Sequence, residues 1–352
     1  MPMLEGQVDV VIGVDTHRDR HAAALLDPNG GVRATLEVPS DRAGHARLLQ
    51  LATAQAPGRR VWALEGTGCY GAGLTGFLVD RGEWVVEIDR PKRPRGRNGA
   101  KSDALDAIRA GREALAREHL ASPRQRGHRE AIRVLHTTRS AIVEAGANAR
   151  RQLKALIITA PEPLRDTLRG RTWLQQARAS AALVAAPSDP VDHRATIRVL
   201  RMTAQRVLTA RAEAKELEVQ LRMLITAVAP VLLAQRGVGP ISAAQVLISW
   251  SHPGRFRSEA AFAMLAGAAP VEASSGQVVR HRLNRGGDRQ LNRALHTIVM
   301  IRQTHHQPTK TYTTRRTTQG KSQRDIRRCL KRTVARQLYR LLERTAAKQA
   351  TS

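Results

Sequence analysis

Apolar residues in the first 125 or so positions come in short runs separated by turn formers, a pattern that suits strands more than long helices. Val10-Val-Ile-Gly-Val14 has no polar face, so Val8–Asp15 reads as a buried strand. His21–Leu26 and Val32–Val38 flank Asp27-Pro-Asn-Gly-Gly31, and the three strands are predicted to form an antiparallel meander. Ser40 or Asp41 caps a helix carrying Leu48, Leu49 and Leu51. A fourth strand at Arg60–Leu64, a helix through Leu74, Phe77 and Leu78, and a fifth strand at Trp84–Ile88 follow.

The period then lengthens to that of helices. Ile132, Leu135, Ile142 and Val143 begin a long amphipathic helix that continues through Leu153 and Ile157. A second runs from about Asp192 to Val228, with Leu200, Val207, Leu217, Leu221 and Leu224. Pro161, Pro163, Pro187 and Pro190 bracket a shorter helical insert. Two long helices joined in this way predict an antiparallel hairpin or a dimerising coiled coil, although no strict heptad persists. Beyond them, Gly237-Val-Gly239 has the turn of a helix-hairpin-helix, whose backbone N–H groups grip a phosphate without reading sequence. The expected domains are 1–127, 128–228 and 229–352. The order of elements in the first is that of the α/β RNase H/RuvC-like fold. There the first and fourth strands are neighbours, which brings Asp15 and Glu65 together. The middle is helical and the last domain mainly α.

Charge changes the picture most. The formal net charge is +28 and the isoelectric point about 11.6, so a polyanion is the expected partner. Arg280 to Arg340 holds 17 Lys or Arg against two acids, Asp288 and Asp325. Pro91–Lys101 adds five cations (Lys92, Arg93, Arg95, Arg97 and Lys101), either as a solvated loop or as a strap across a phosphate backbone. Apolar residues make up 42% of the 352, enough for real cores. Aromatics are 3%, which argues against base-stacking platforms as the main binding mode. Cys69 and Cys329 lack metal-ligand spacing and fit a reducing cytosol. No signal pattern or membrane-length apolar run is evident. The expectation is a cytoplasmic nucleic-acid protein with no membrane partner.

Four acids stand out against this background. Asp15 and Glu65 end two strands, and Asp103 and Asp106 lie one helical turn apart in Lys101-Ser-Asp-Ala-Leu-Asp106. Each alone fits a helix cap, a turn or a first-turn acid favoured by the helix dipole. Together they form a hard-cation set suited to Mg2+ or Mn2+. Two such ions, about 3.5–4 Å apart, clamp the attacking and leaving oxygens of a phosphodiester. His17, His21, His281 and His296 fit surface or cap roles better than phosphate or proton chemistry.

Several segments resemble the DEDD transposases of the insertion-sequence one-ten family, which includes the Piv-type DNA invertases. They are Gly13-Val-Asp15 with His17, Glu65-Gly-Thr-Gly-Cys-Tyr70, and a basic loop leading into Lys101-Ser-Asp-Ala-Leu-Asp-Ala107. In the C-terminal half, Gly237-Val-Gly-Pro240, Phe256 to Gly267, Ala269-Pro-Val-Glu-Ala-Ser-Ser-Gly276 and Leu283–Ala294 are similar too, so nearly the whole chain is covered. The resemblance implies metal-ligand and catalytic roles for Asp15, Glu65, Asp103 and Asp106, and a serine nucleophile in Ser274-Ser275-Gly276. Ser275 is the choice, because the family serine directly precedes glycine, with Ser274 as fallback. On residues alone, Ser-Ser-Gly reads as turn chemistry. The family's glycine-rich stretch after the serine is replaced by Gln277-Val-Val-Arg-His281.

The resemblance further implies donor and target double-stranded DNA, a structured bridge-type guide RNA, and self-association as dimer or tetramer, on the nucleoid of a bacterial or archaeal cell. Lys92, Arg93, Arg95, Arg97, Lys101, Gly237, Gly239, Arg280, Arg282, Arg285, Arg289 and Arg293 are the expected nucleic-acid contacts. A RuvC-like junction nuclease, sharing the acids but needing no serine, and a non-catalytic basic nucleic-acid-binding protein remain open.

Overall fold

In the computed structural model, the described residues are 3–88, 102–124, 126–272, 281–284 and 286–350. The chain folds as two compact units, Met1–Gln125 and Arg126–Ser352.

The first unit is a five-stranded sheet with helices on both faces. Its elements are β1 (Val10–Thr16), β2 (Arg20–Leu26), β3 (Val32–Pro39), α1 (Arg42–Gln55), β4 (Arg60–Glu65), α2 (Ala72–Val79), β5 (Val85–Ile88) and α3 (Asp103–Ala116). The sheet order is β3-β2-β1-β4-β5: β1 and β3 run antiparallel to β2, whereas β4 is parallel to both β1 and β5. That is the RNase H/RuvC-like arrangement. The turn into β3 is held by Asp27, whose Oδ1 accepts from the backbone N–H of Asn29 (2.8 Å) and Gly31 (2.9 Å). Asp41 caps α1 by accepting from Gly44 N at 2.7 Å.

Strand alternation divides the buried residues between the two faces of the sheet. Val10, Ile12, Val14, Trp62 and Leu64 pack with Leu48 of α1 and Leu74 and Leu78 of α2. Val11, Val61 and Ala63 point to the opposite face, with Ala114 of α3. Helix α3 buries only Ala107, Ala110, Gly111 and Ala114, so its backbone lies close on β1 and β2. Gly13 is where the two meet, since a Cβ there would lie 2.1 Å from the Ala107 carbonyl oxygen and 2.5 Å from Gly111 N. At the sheet's other edge, the Glu83 carboxylate accepts from Arg60 Nε (2.8 Å) and Trp62 Nε1 (2.7 Å). His21 differs from the surface or cap role expected of it. It is buried on the α1 side of the sheet, stacked on His45 at 5.5 Å, and burial followed by the His45 charge pushes it down to about 4.

Among the described residues, the second unit is helical apart from one strand pair. It comprises α4 (His128–Thr159), α5 (Glu162–Leu168), α6 (Trp173–Ala182), α7 (Val191–Val228), α8 (Pro230–Leu233), α9 (Pro240–Trp250), α10 (Glu259–Leu265), β6 (Pro270–Glu272), β7 (His281–Leu283), α11 (Arg289–His305), α12 (Gln307–Thr318) and α13 (Gln323–Ala350). Helices α4 and α7 pack antiparallel within one chain. Arg139 Nη2 donates to Glu218 Oε2 at 2.9 Å, Gly146 faces Ala210, and Ile132 shares a core with Leu221 and Ile225. The insert between them is two helices rather than one. It breaks after Gly170, and Thr172 and Gln175 form a capping box at the start of α6.

At their α9 end, α4 and α7 join the core of Leu232, Val246, Phe262, Leu291, Leu295, Val334 and Leu338. Their far end has a separate core, Leu153, Leu164, Leu168, Ala177 and Leu200. Near Gly237, where the turn of a helix-hairpin-helix is expected, a turn joins the four-residue helix α8 to α9. Gly237 has φ +82°, a left-handed value that glycine adopts without strain, and Gly239 is the N-cap of α9.

Candidate active site

The packing of α3 on β1 assembles the acidic cluster. Asp15 shares the α3-facing side of β1 with Val11 and Gly13, because alternate residues of a strand point the same way. The chain of α3 runs antiparallel to β1, from Asp103 near Asp15, past Gly111 at Gly13, to Ala114 beside Val11. Its first turn thereby reaches the C-terminal end of the central strand. The carboxylates of Asp15 and Asp103 and the imidazole of His17 offer ligand atoms that all lie within 4.8 Å of one another. His17 Nε2 sits between the acids, 3.1 Å from Asp15 Oδ2 and 3.5 Å from Asp103 Oδ1. The His17 side chain stays 42% exposed, as the surface role expected of it requires, but it also bridges the two acids.

Electrostatics fit a cation at this place. Asp15 is 8% exposed, and burial holds its carboxyl above the ordinary range, opposed by His17 and reinforced by Asp106 and Asp103. Clustered carboxylates with a raised proton affinity are what a divalent ion offsets. The two carboxylates suit Mg2+ or Mn2+, and the imidazole favours the softer Mn2+.

The other two acids lie near but outside that set. Asp106, one turn along α3, receives Arg109 Nη1 at 2.6 Å. Glu65 ends β4 beside β1. Thr16 Oγ1 donates to the Glu65 backbone carbonyl at 2.8 Å, and strand alternation places Glu65 on the same side as Val61 and Ala63, the α3 side.

Of the expected nucleic-acid contacts, Arg289 and Arg293 are exposed at the start of α11. Asp288 does not neutralise them. Its Oδ1 caps α11 by accepting from Gln290 N (2.9 Å) and Leu291 N (3.0 Å), while Oδ2 accepts from Ser249 Oγ at 2.7 Å. Several cations of the basic C-terminal stretch are engaged by the protein itself. Arg302 is buried and donates to the Arg236 carbonyl (2.7 Å) and to Gln337 Oε1 (2.8 Å), and Arg336 and Arg340 both bind Glu259. Lys92, Arg93, Arg95, Arg97, Lys101, Ser274, Ser275, Arg280 and Arg285 lie outside the described residues, as does the side chain of Arg282. Among the described residues, no helix is long and apolar enough to cross a membrane.

Comparison with known families gives two matches in chain order. Residues 12–160 match the DEDD model described as Transposase, and residues 229–314 match the model described as Transposase IS116/IS110/IS902 family. No curated protein matches the chain. The first match spans β1, β4 and α3, the elements that carry Asp15, Glu65, Asp103 and Asp106, and the second spans the glycine turn, the β6–β7 pair and α11; the chain belongs to the IS110 family of transposases.

Proposed function

We propose that this transposase cuts and rejoins DNA through a covalent link between a serine and a DNA end, assisted by divalent metal at its acidic site and directed by a structured RNA. The observation that carries the reading is the convergence of Asp15, His17 and Asp103 at the end of the central strand. Asp15 and Asp103 would hold the metal together with His17. Asp106 would join once it exchanges Arg109 for the ion, and Glu65 would enter from β4. A bound divalent ion supplies Lewis-acid polarisation of a phosphate oxygen.

The serine step balances without a co-reactant. Ser275 Oγ attacks a backbone phosphorus, a seryl phosphodiester forms, and the bond to the departing deoxyribose oxygen breaks. The serine proton passes to a base or water, and the departing oxygen gains one. Attack by the hydroxyl of the incoming strand reverses the sequence and frees the serine. The reading of Ser275 rests on the family motif, with Ser274 as the alternative. The net charge of +28 supports simultaneous handling of DNA and RNA.

Denaturing gels of protein with a DNA substrate test this directly. A slowed, protease-sensitive band is expected, lost in Ser275→Ala while DNA and RNA binding persist. A band lost only in Ser274→Ala moves the nucleophile by one residue, and one that survives both changes defeats the serine mechanism. Asp103→Asn is expected to abolish recombination with binding nearly intact. Recombination at the wild-type rate in that variant would remove the acidic site from the chemistry.

A further inference from the structure

Four cations of α13 fall on one stripe. Arg324, Arg327, Arg328 and Lys331 are spaced i, i+3, i+4 and i+7, so a helix turns them all to the same side. That side meets Asn292, His296 and Arg289 of α11 around a cavity of about 440 Å3. Among the described residues, no acid lines it.

The interior is organised rather than splayed into solvent. Lys331 Nζ donates to Asn292 Oδ1 at 2.9 Å, and Asn292 Nδ2 in turn donates to the Ala266 carbonyl at 2.7 Å. Arg327 Nε is steered by Gln303 Oε1 at 3.2 Å. A neutral amide thus occupies the position where an ordinary structural lysine would meet a carboxylate. The cavity walls also include Gly267 and Asn284, which stand just outside the β6–β7 pair, whose connection in sequence carries Ser274 and Ser275. Burial, then the charge of Arg328, lowers the proton affinity of Lys331; burial, then Lys331 and Arg327, lowers that of His296. Arg328 is paired with Asp325, Nη1 donating to Oδ1 at 3.0 Å, and the cluster still holds more positive charge than its own groups offset.

We propose that this cavity seats a backbone phosphodiester of a nucleic-acid strand. Guanidinium groups match phosphate oxygens two at a time, a lysine adds a point charge, and neither reads a base. The seat therefore sets the position of a strand next to the β6–β7 pair, whatever its sequence. The inference rests on the reading that the chain acts on DNA, but not on the serine or the metal.

Asn292→Asp tests it with almost no change of shape. The new carboxylate neutralises Lys331 and repels a phosphate. Gln50→Glu makes the same change of charge on the exposed face of α1. Binding of a short labelled DNA duplex, followed by fluorescence anisotropy, is expected to weaken about tenfold or more in Asn292→Asp and less than about twofold in Gln50→Glu. The slope of log affinity against log salt should fall by about one in the first variant only. If Asn292→Asp melts well below the parent, Lys331→Gln carries the test with the same thresholds.

Equal effects of the two variants would overturn the proposal in favour of a general positive field. A third result would also overturn it, by assigning the cavity to a free anion. In that case inorganic phosphate raises the melting temperature of the parent but not of Asn292→Asp, while the two bind DNA alike. Binding through the cavity without any covalent adduct would sink the serine reading and leave this one standing.

Discussion

Gly13→Ala isolates the contact on which the acidic site rests. Gly13 lies in the middle of β1, where alanine is conformationally acceptable, so the effect is steric. The new methyl would lie 2.1 Å from the Ala107 carbonyl oxygen, 2.5 Å from Gly111 N and 2.9 Å from Gly111 Cα. All three obstacles are backbone, and no side-chain rotation clears them. Reaching about 3.5 Å, the near edge of favourable nonbonded contact, asks α3 to move off the strand by about 1.4 Å. Overpacking of this kind typically destabilises by about 1–3 kcal/mol. The upper end is expected here, because a whole helix must shift. The same movement carries Asp103 away from Asp15 and His17, and a displacement of about 1 Å at a reacting centre can lower rates about 100-fold. Thermal melting and the yield of DNA–protein adduct are the measurements, with DNA affinity expected to stay near that of the parent. Gly73→Ala is the control, since its Cβ would find only His45 Cε1 at 3.4 Å. That residue lies in α2, where alanine is the better helix former. Unchanged melting and adduct yield in Gly13→Ala would refute the close packing of α3 on β1.

Glu83→Ala should destabilise the protein by about 3 kcal/mol near neutral pH, because it leaves the half-buried Arg60 guanidinium and Trp62 Nε1 without their shared acceptor. Hydrogen bonding from Arg60 holds the Glu83 carboxyl below the usual carboxylate range. Its contribution is therefore complete above the unfolded value of about 4.3 and disappears as pH falls through the folded one. Urea unfolding of parent and variant should converge in acid, and a constant gap down to about pH 2 would contradict the pairing. Val143, Met202, Val219 and Met223 are large apolar residues left exposed on α4 and α7, and we expect self-association there. Light scattering of the nucleic-acid complex should report a dimer or tetramer that Met223→Lys weakens; an active monomer would rule this out.

The order of strands and the acids at their ends were legible because both follow from local rules. Alternation put Asp15 and Glu65 on the face of Val11, Gly13, Val61 and Ala63. The parallel pairing of β1 with β4 then made them neighbours. His17 was harder to see, although the same alternation places residues 15 and 17 on one side. What fixes it is the turn into β2, where His17 N donates to the Arg20 carbonyl at 3.1 Å, and no run of apolar residues announces that turn. The split of the helical insert was readable in principle from Gly170 and from Thr172-x-x-Gln175, a capping-box pattern outweighed by the prolines on either side.

Charge was legible in amount but not in direction. The stretch from Arg280 to Arg340 is basic as a sequence, yet Leu291, Leu295, Ile298, Val334 and Leu338 on the same helices build the core of the second unit. Removing the stretch to test nucleic-acid binding would therefore unfold the protein, and substitutions of single residues must take its place. Helical phase separates the roles. Arg302, in phase with Leu291, Leu295 and Ile298 on α11, turns inward to bind Arg236 and Gln337, whereas Arg324, Arg327, Arg328 and Lys331 share the phase that opens on the cavity. Seventeen cations counted along a chain give a long-range attraction for a polyanion. Only those that the helices turn to a common side, with a neutral amide where a carboxylate would cancel them, can hold one phosphate at one place.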